Sequence, residues 1–173
     1  MCYVSGVNPL ETQLFADLAQ LGIAFELVEH EAVFTVEESS KLDRDIPGAH
    51  TKNLFLKDAS GQFWLVTVPA YMRVDLKKLP QAIGCKRVSF GKADDMHRLL
   101  GLSPGSVTPL AAINDTYRNV IIVLDAGLSA TDLINVHPLR NTASLGLSPK
   151  DLIKLLKYWN HGPVIAVIPA VCD

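Results

Sequence analysis

The sequence predicts one mixed α/β (α+β) domain, built on a mainly antiparallel sheet flanked by helices. Three observations carry this. Two apolar, aromatic-rich runs, Asn53–Lys57 and Gln62–Val68, are separated by Ala59-Ser60-Gly61, a strong hairpin signal. Helical periodicity brackets them, with Leu10, Leu14, Leu18 and Leu21 before and Leu152, Leu155, Leu156 and Trp159 after. The third is size: a chain of 173 residues and 18.8 kDa buries roughly 70% of its unfolded surface, so it needs no disulfide or metal to hold a core. With no repeat, linker or low-complexity stretch, residues 1–173 read as one domain whose core spans about 9–160.

In chain order, Asn8 is placed to cap the first helix, Pro9 fits its first position, Glu11 completes a capping box and Gly22 ends it. Ile23, Phe25 and Leu27 alternate with polar or small residues, as a strand does. Thr35–Asp43 reads as a short acidic helix. After the hairpin, Asp75–Ile83 reads as a helix interrupted at Pro80, Arg87–Phe90 as a short strand, and Lys92–Leu100 as a helix closed by Gly101. Asn119–Leu124 holds a continuous β-branched run, Val120 to Val123, the pattern of a strand buried on both faces. Thr142–Leu147 reads as another strand. Ser148 caps and Pro149 opens the last helix, and Val164–Ile168 returns as a final strand.

Composition excludes several classes. Hydrophobic residues make up 49% and charged residues 20%, which excludes disorder. The net charge of −2 argues against a generally basic nucleic-acid binder, and no helix-turn-helix pattern suggests specific DNA recognition. Charge is uneven, however. Residues 1–50 hold two basic and nine acidic side chains (2 − 9 = −7), and residues 51–173 hold fourteen basic and nine acidic (14 − 9 = +5). The densest basic segment, from Arg73 to Arg98, is either a phosphate-binding face or an ordinary solvated one. Cys2, Cys85 and Cys172 are odd in number and form no C-x-x-C, the pattern of reduced thiols in a cytoplasmic protein. The first residues carry no basic or apolar signal region, and the longest apolar stretch, Val164–Cys172, is too short to span a bilayer. The five histidines show no metal-ligand spacing.

Gly101-Leu102-Ser103-Pro104-Gly105 matches a nucleophile elbow as text. The elbow needs the backbone N–H that follows its serine, and Pro104 has none, so Ser103 is a loop residue. Three other segments hold more chemistry. In His50-Thr51-Lys52-Asn53-Leu54-Phe55-Leu56-Lys57-Asp58 a polar cluster opens onto an apolar strand, and alternation sends Lys52 and Asn53 to opposite faces. Lys52 on the core side is a cationic donor for a carbonyl oxygen or phosphate; the alternative is a lysine snorkelling at a strand end. Gly101–Pro109 is able to present the N–H groups of Gly105 and Ser106 to an oxygen, or is simply a tight turn. Asn135–Thr142 holds His137 in a loop beside Pro138.

Together with Asp75-Leu76-Lys77-Lys78-Leu79, Ser89-Phe90-Gly91, Pro104-Gly105-Ser106-Val107-Thr108 and Asn114-Asp115, these segments resemble the YbaK-like aminoacyl-tRNA deacylases. The free-standing prolyl-tRNA editing proteins are the most similar branch. The resemblance spans about residues 9–160 and implies hydrolysis of the ester that joins a wrong amino acid to proline tRNA. It implies a catalytic role for Lys52 and substrate-binding roles for Thr51, Asn53, Gly105, Ser106 and His137, with no metal and no cofactor. Thr51-Lys52-Asn53-Leu54-Phe55-Leu56 is closer to the alanine-specific branch than to the cysteine-specific one. The implied partners are the acceptor end of mischarged tRNA and prolyl-tRNA synthetase, with no membrane and no specific DNA. The competing expectations are a deacylase for cysteine or serine and a non-catalytic module that binds tRNA or the synthetase.

The chemistry fits that inventory. An aminoacyl ester is already activated, so fixed geometry for water and donors aimed at the developing oxyanion suffice. A synthetase pocket large enough for proline cannot exclude alanine sterically, because each missing methylene is worth only about 1–3 kcal/mol. A second, smaller pocket resolves this by admitting alanine alone. Val33, Phe34 and Phe55 are the expected walls of that pocket.

Overall fold

The computed structural model describes residues 9–32 and 36–172. Helix α1 (Pro9–Gln20) ends as the sequence predicts: Gly22 is left-handed at φ 66°, its N–H donates to Ala19 O, and the Ile23 N–H donates to Leu18 O. This paired closure of a helix end draws Ile23 into the core. Strand β1 (Glu26–Glu29) therefore starts three residues later than the alternation at Ile23 suggests. The Asn8 cap lies outside the described residues. Helix α2 (Val36–Asp45) follows.

The hairpin is β2 (Ala49–Asp58) and β3 (Phe63–Pro69). Asp58 organises its turn. One carboxylate oxygen accepts from the Ser60 and Gln62 N–H groups, and the other from Trp64 Nε1 at 3.0 Å. Burial pushes this carboxyl's pKa up, but these donors and the Ser60 hydroxyl outweigh it and hold it below the usual range. The strand also begins four residues before the apolar run, because Ala49 and His50 pair with a later strand. Polarity hid that extension.

Helix α3 (Leu79–Ile83) carries Pro80 in its first turn, so the proline begins the helix rather than interrupting it. Asp75 instead accepts from the N–H groups of Lys77 and Lys78 in the preceding turn. Strand β4 (Val88–Phe90) and helix α4 (Ala93–Leu100), closed by left-handed Gly101, match the sequence closely. Two 3-10 turns, Pro104–Ser106 and Pro109–Asn114, precede β5 (Val120–Asp125). Helix α5 (Ala126–Ser129) and strand β6 (Ile134–Val136) were not anticipated. Strand β7 (Ala143–Leu147), helix α6 (Pro149–Tyr158) and strand β8 (Val164–Ala166) complete the order. Ser148 caps α6 by accepting from the Asp151 N–H at 3.1 Å. The residues after Asn160 extend the sheet, with β8 parallel to β5.

Among the described residues the sheet has eight strands in the order β1-β7-β6-β2-β3-β5-β8, with β4 also on β2. Four pairings are antiparallel and three parallel. One face carries α1, α4 and α6 over a core that includes Leu14, Leu18, Phe55, Leu65, Leu124, Leu145 and Leu156. The other carries α3 over Leu56, Trp64, Val66, Val68, Val123 and Ile168. Trp159 Nε1 donates to Asp17 at 2.8 Å, tying α6 to α1.

Candidate active site

Strand β2 is the hinge of the arrangement. On one edge it pairs with β3 along its length. On the other it pairs with β6 at Ala49–His50 and with β4 at Leu56–Asp58. Among the described residues, no strand pairs with Lys52, Asn53 or Leu54 on that second edge.

Alternation sends the two candidate residues of this step to opposite faces. Asn53 lies on the α1/α4/α6 face, and both ends of its amide are used. Its Nδ2 donates to Val107 O at 3.0 Å, and its Oδ1 accepts from the buried Thr67 hydroxyl at 2.6 Å. This ties β2 to the loop that holds Gly105 and Ser106. That loop also approaches the His137 loop: a Cβ built on Gly105 would lie 3.8 Å from the Asn141 amide nitrogen. The Ser106 N–H already donates to Ser103 O at 3.0 Å. The Gly105 N–H and the Ser106 hydroxyl are therefore what this turn can offer a substrate.

Lys52 lies on the other face, with His50 and Leu54. It is half-buried and has no hydrogen-bond or ion-pair partner among the described residues. Strand β6 runs parallel to β2 with Ala49 opposite Ile134 and His50 opposite Asn135. Alternation from the paired His50 and Asn135 puts Lys52 and His137, which follows the last residue of β6, on the same face. Thr51 closes the junction, its hydroxyl donating to Asn135 O at 2.7 Å.

His137 is largely buried, and its Nδ1 lies 3.2 Å from Ala143 O. Burial lowers its pKa more than the carbonyl bond and the nearby His30 alter it, so the neutral ring is favoured. With Nδ1–H donating to the carbonyl, Nε2 is left as an acceptor. Two neighbours on this face were missed in the sequence. The Ser144 hydroxyl on β7 donates to His30 Nε2 at 3.1 Å, while His30 Nδ1–H donates to Glu31 O at 2.8 Å. Ala143-Ser144-Leu145-Gly146-Leu147 shows the alternation that marks Ser144 as facing away from the core. Nothing local marks His30.

The loop after His137 is clamped by Arg140. Its guanidinium donates to Glu11 of α1 at 2.8 Å, to both carboxylate oxygens of Glu29 on β1, and to the Thr142 hydroxyl. These bonds hold the Glu29 carboxyl below, and the guanidinium above, their usual pKa ranges. Of the expected pocket walls, Val33 and Phe34 lie outside the described residues. Phe55 is only 3% exposed and stacks on Phe63 with ring centroids 5.4 Å apart, so it is core. Among the described residues there is no cluster of histidine, cysteine or acidic side chains fit to hold a metal ion, and no helix long and apolar enough to cross a membrane.

A family model described as the aminoacyl-tRNA editing domain matches residues 30–155, which include Lys52, Asn53, Gly105, Ser106 and His137. The chain belongs to that family. It is an aminoacyl-tRNA deacylase, an ester hydrolase. The editing domain is 38% identical over 145 residues to the prolyl-tRNA editing protein ProX of Acetoanaerobium sticklandii, covering 83% of this chain and 88% of that one. It is also 38% identical over 161 residues to the prolyl-tRNA synthetase associated domain-containing protein 1 of Bos taurus, covering 90% and 94%. Its fold matches a solved structure described as a candidate trans-editing enzyme for prolyl tRNA synthetase. That match has a TM-score of 0.72 at 20% identity and covers 96% of this chain and all of the other.

Proposed function

We propose that this editing domain hydrolyses the aminoacyl ester of mischarged proline tRNA in trans, with alanine as the amino acid removed and prolyl ester spared. The observation that carries the reading is that Lys52 and His137 fall on one face by alternation, beside the step of β2 whose β6/β4 edge carries no strand among the described residues. The named activity of the relative from Acetoanaerobium sticklandii supports the choice of proline tRNA.

In this reading, water attacks the ester carbonyl carbon, the bond to the ribose oxygen breaks, and that oxygen leaves with a proton. Lys52, without a partner among the described residues, holds the substrate's developing oxyanion or its phosphate. The acceptor Nε2 of His137 orients the attacking water or the adjacent ribose hydroxyl. The Gly105 N–H and Ser106 hydroxyl meet the terminal nucleotide from the far side of the β2 step. Thr51 and Asn53 hold the strand between them, and their bonds to Asn135, Val107 and Thr67 make them positioning residues first. No covalent enzyme intermediate is needed, because the ester is already reactive. A small pocket that admits alanine and rejects proline supplies the discrimination.

The test is single-turnover deacylation of proline tRNA charged with alanine, cysteine, serine or proline, using wild type and Lys52→Ala. The expected result is rapid loss of alanine, retention of proline, and a fall of about 10²–10³ in rate for Lys52→Ala, the typical loss for one oxyanion donor. Faster release of cysteine or serine would reassign the substrate. Tight tRNA binding without turnover would make the domain a binding module.

A further inference from the structure

A cavity of about 600 Å³ lies beyond the start of β2, outside the residues assigned so far. Its floor is apolar, with Leu128 and Ile168 both buried. Its polar lining is dominated by acceptors. The Asp125 carboxylate accepts from the Gly127 and Ile168 N–H groups and keeps further lone pairs, and Asp43 pairs with His50 at 3.1 Å. Tyr71 lines the cavity yet is 90% exposed, so its ring has no packing role that explains it. Arg44 and Arg73 each follow a lining residue; both are exposed and have no ion-pair partner among the described residues.

His50 places this cavity relative to the reaction. It lies on the same face of β2 as Lys52 and two residues before it, about 7 Å along the strand. That offset is on the scale of one nucleotide step. An apolar floor, a free aromatic ring, carboxylate acceptors and unpaired guanidinium groups one residue away together suit a nucleotide whose base carries an amino group.

We propose that this cavity binds the nucleotide preceding the terminal adenosine of the acceptor end. Its cytosine stacks on Tyr71 and donates its amino group to a carboxylate, while the flanking phosphates meet Arg44 and Arg73. The inference rests on the tRNA-editing reading above and adds a second nucleotide site to it. The site makes hydrolysis depend on the polynucleotide end rather than on the aminoacyl-adenosine alone.

The test uses two exposed positions, which keeps folding out of the result. Tyr71→Ala removes the stacking ring, and Val167→Trp fills the mouth, where Val167 is 79% exposed. Each variant is assayed on alanyl proline tRNA and on 3′-alanyl adenosine. The expected result is a KM increase of about tenfold or more with tRNA, within the range for loss of one base–aromatic stack, and no change with alanyl adenosine. Equal losses on both substrates, or none on either, overturn the proposal. A binding arm keeps the test independent of turnover. Wild type is titrated with an uncharged fluorescent RNA hairpin ending in CCA, and with the same hairpin made abasic at the next-to-last position. Weaker binding of the abasic hairpin, with the difference abolished by Tyr71→Ala, supports the site. Equal binding of the two hairpins overturns it, whereas a lack of hydrolysis with that preference intact overturns only the editing reading.

Discussion

The two halves of the sheet are built on different terms. Around β3 and β5 it is covered on both faces: every residue of β3 is buried, and Leu65 and Val66 look into opposite cores. Around β1, β7 and β6 it has a core on one face only. The other face carries His30, Ser144, Asn135 and His137, and β1 is exposed along its whole length. The first half is a foundation that tolerates little chemistry. The second keeps a polar face, over which no hydrophobic core cluster lies among the described residues. Strand β2 belongs to both, and the proposed reactive step sits where it passes from one to the other.

The largest expected effect tests the foundation. Leu65→Ala, at a fully buried position, removes methylene contacts that relax poorly, costing about 2–5 kcal/mol of stability in a denaturant titration. A cost below about 1 kcal/mol would mean that the doubly covered half is not the stable one. Asn53→Ala should come next, at about 2 kcal/mol, because it strands both the buried Thr67 hydroxyl and Val107 O. Together with the Lys52→Ala rate measurement it sharpens the contrast within β2: one neighbour should be read mainly in melting temperature, the other mainly in rate. If Asn53→Ala melted like wild type, its bonds would not be structural.

Arg140→Ala should cost about 1–2 kcal/mol. It leaves the nearly buried Glu11 carboxylate without its cation, whereas the exposed Glu29 arm contributes little. A larger loss in deacylation than in stability would show that the clamp's main task is to place the His137 loop. The smallest effect is in pH. The folded state lowers the pKa of His137, so the unfolded chain binds that proton more readily. Its contribution to stability is complete above the ordinary histidine pKa of about 6.5 and is lost as pH falls below that toward the folded value. His137→Gln should flatten that acid-side slope in a melting series; an unchanged slope would assign it to other groups.

Much of the foundation was legible because its signals are local. The hairpin, α4 with Gly101, β5 and α6 each carry their own periodicity, cap or turn. The reactive half was harder to read. Strand β6 is three residues long and pairs in parallel with residues more than eighty positions earlier, so no local pattern announces it. Lys52 and Asn53 stood out from their polar setting and from the family resemblance. Which of them shares a face with His137 depends on the β2–β6 register, which only the assembled sheet fixes. The Ser106 N–H looked available until the turn at Pro104 used it. His30 entered the site through an edge strand whose four residues show no buried side.

The step of β2 that is open on one edge has a consequence for how such a protein survives at high concentration. Outer strands such as β1 and β8 offer an open edge of backbone donors and acceptors, the kind of surface on which chains join one another into aggregates, and here both are short. The break at Lys52–Leu54 is flanked at both ends by β6 and β4, so it is too short to recruit a strand from another molecule. A sheet that needs bare backbone for a small ligand can keep it safely by opening a window in its interior rather than by lengthening its border.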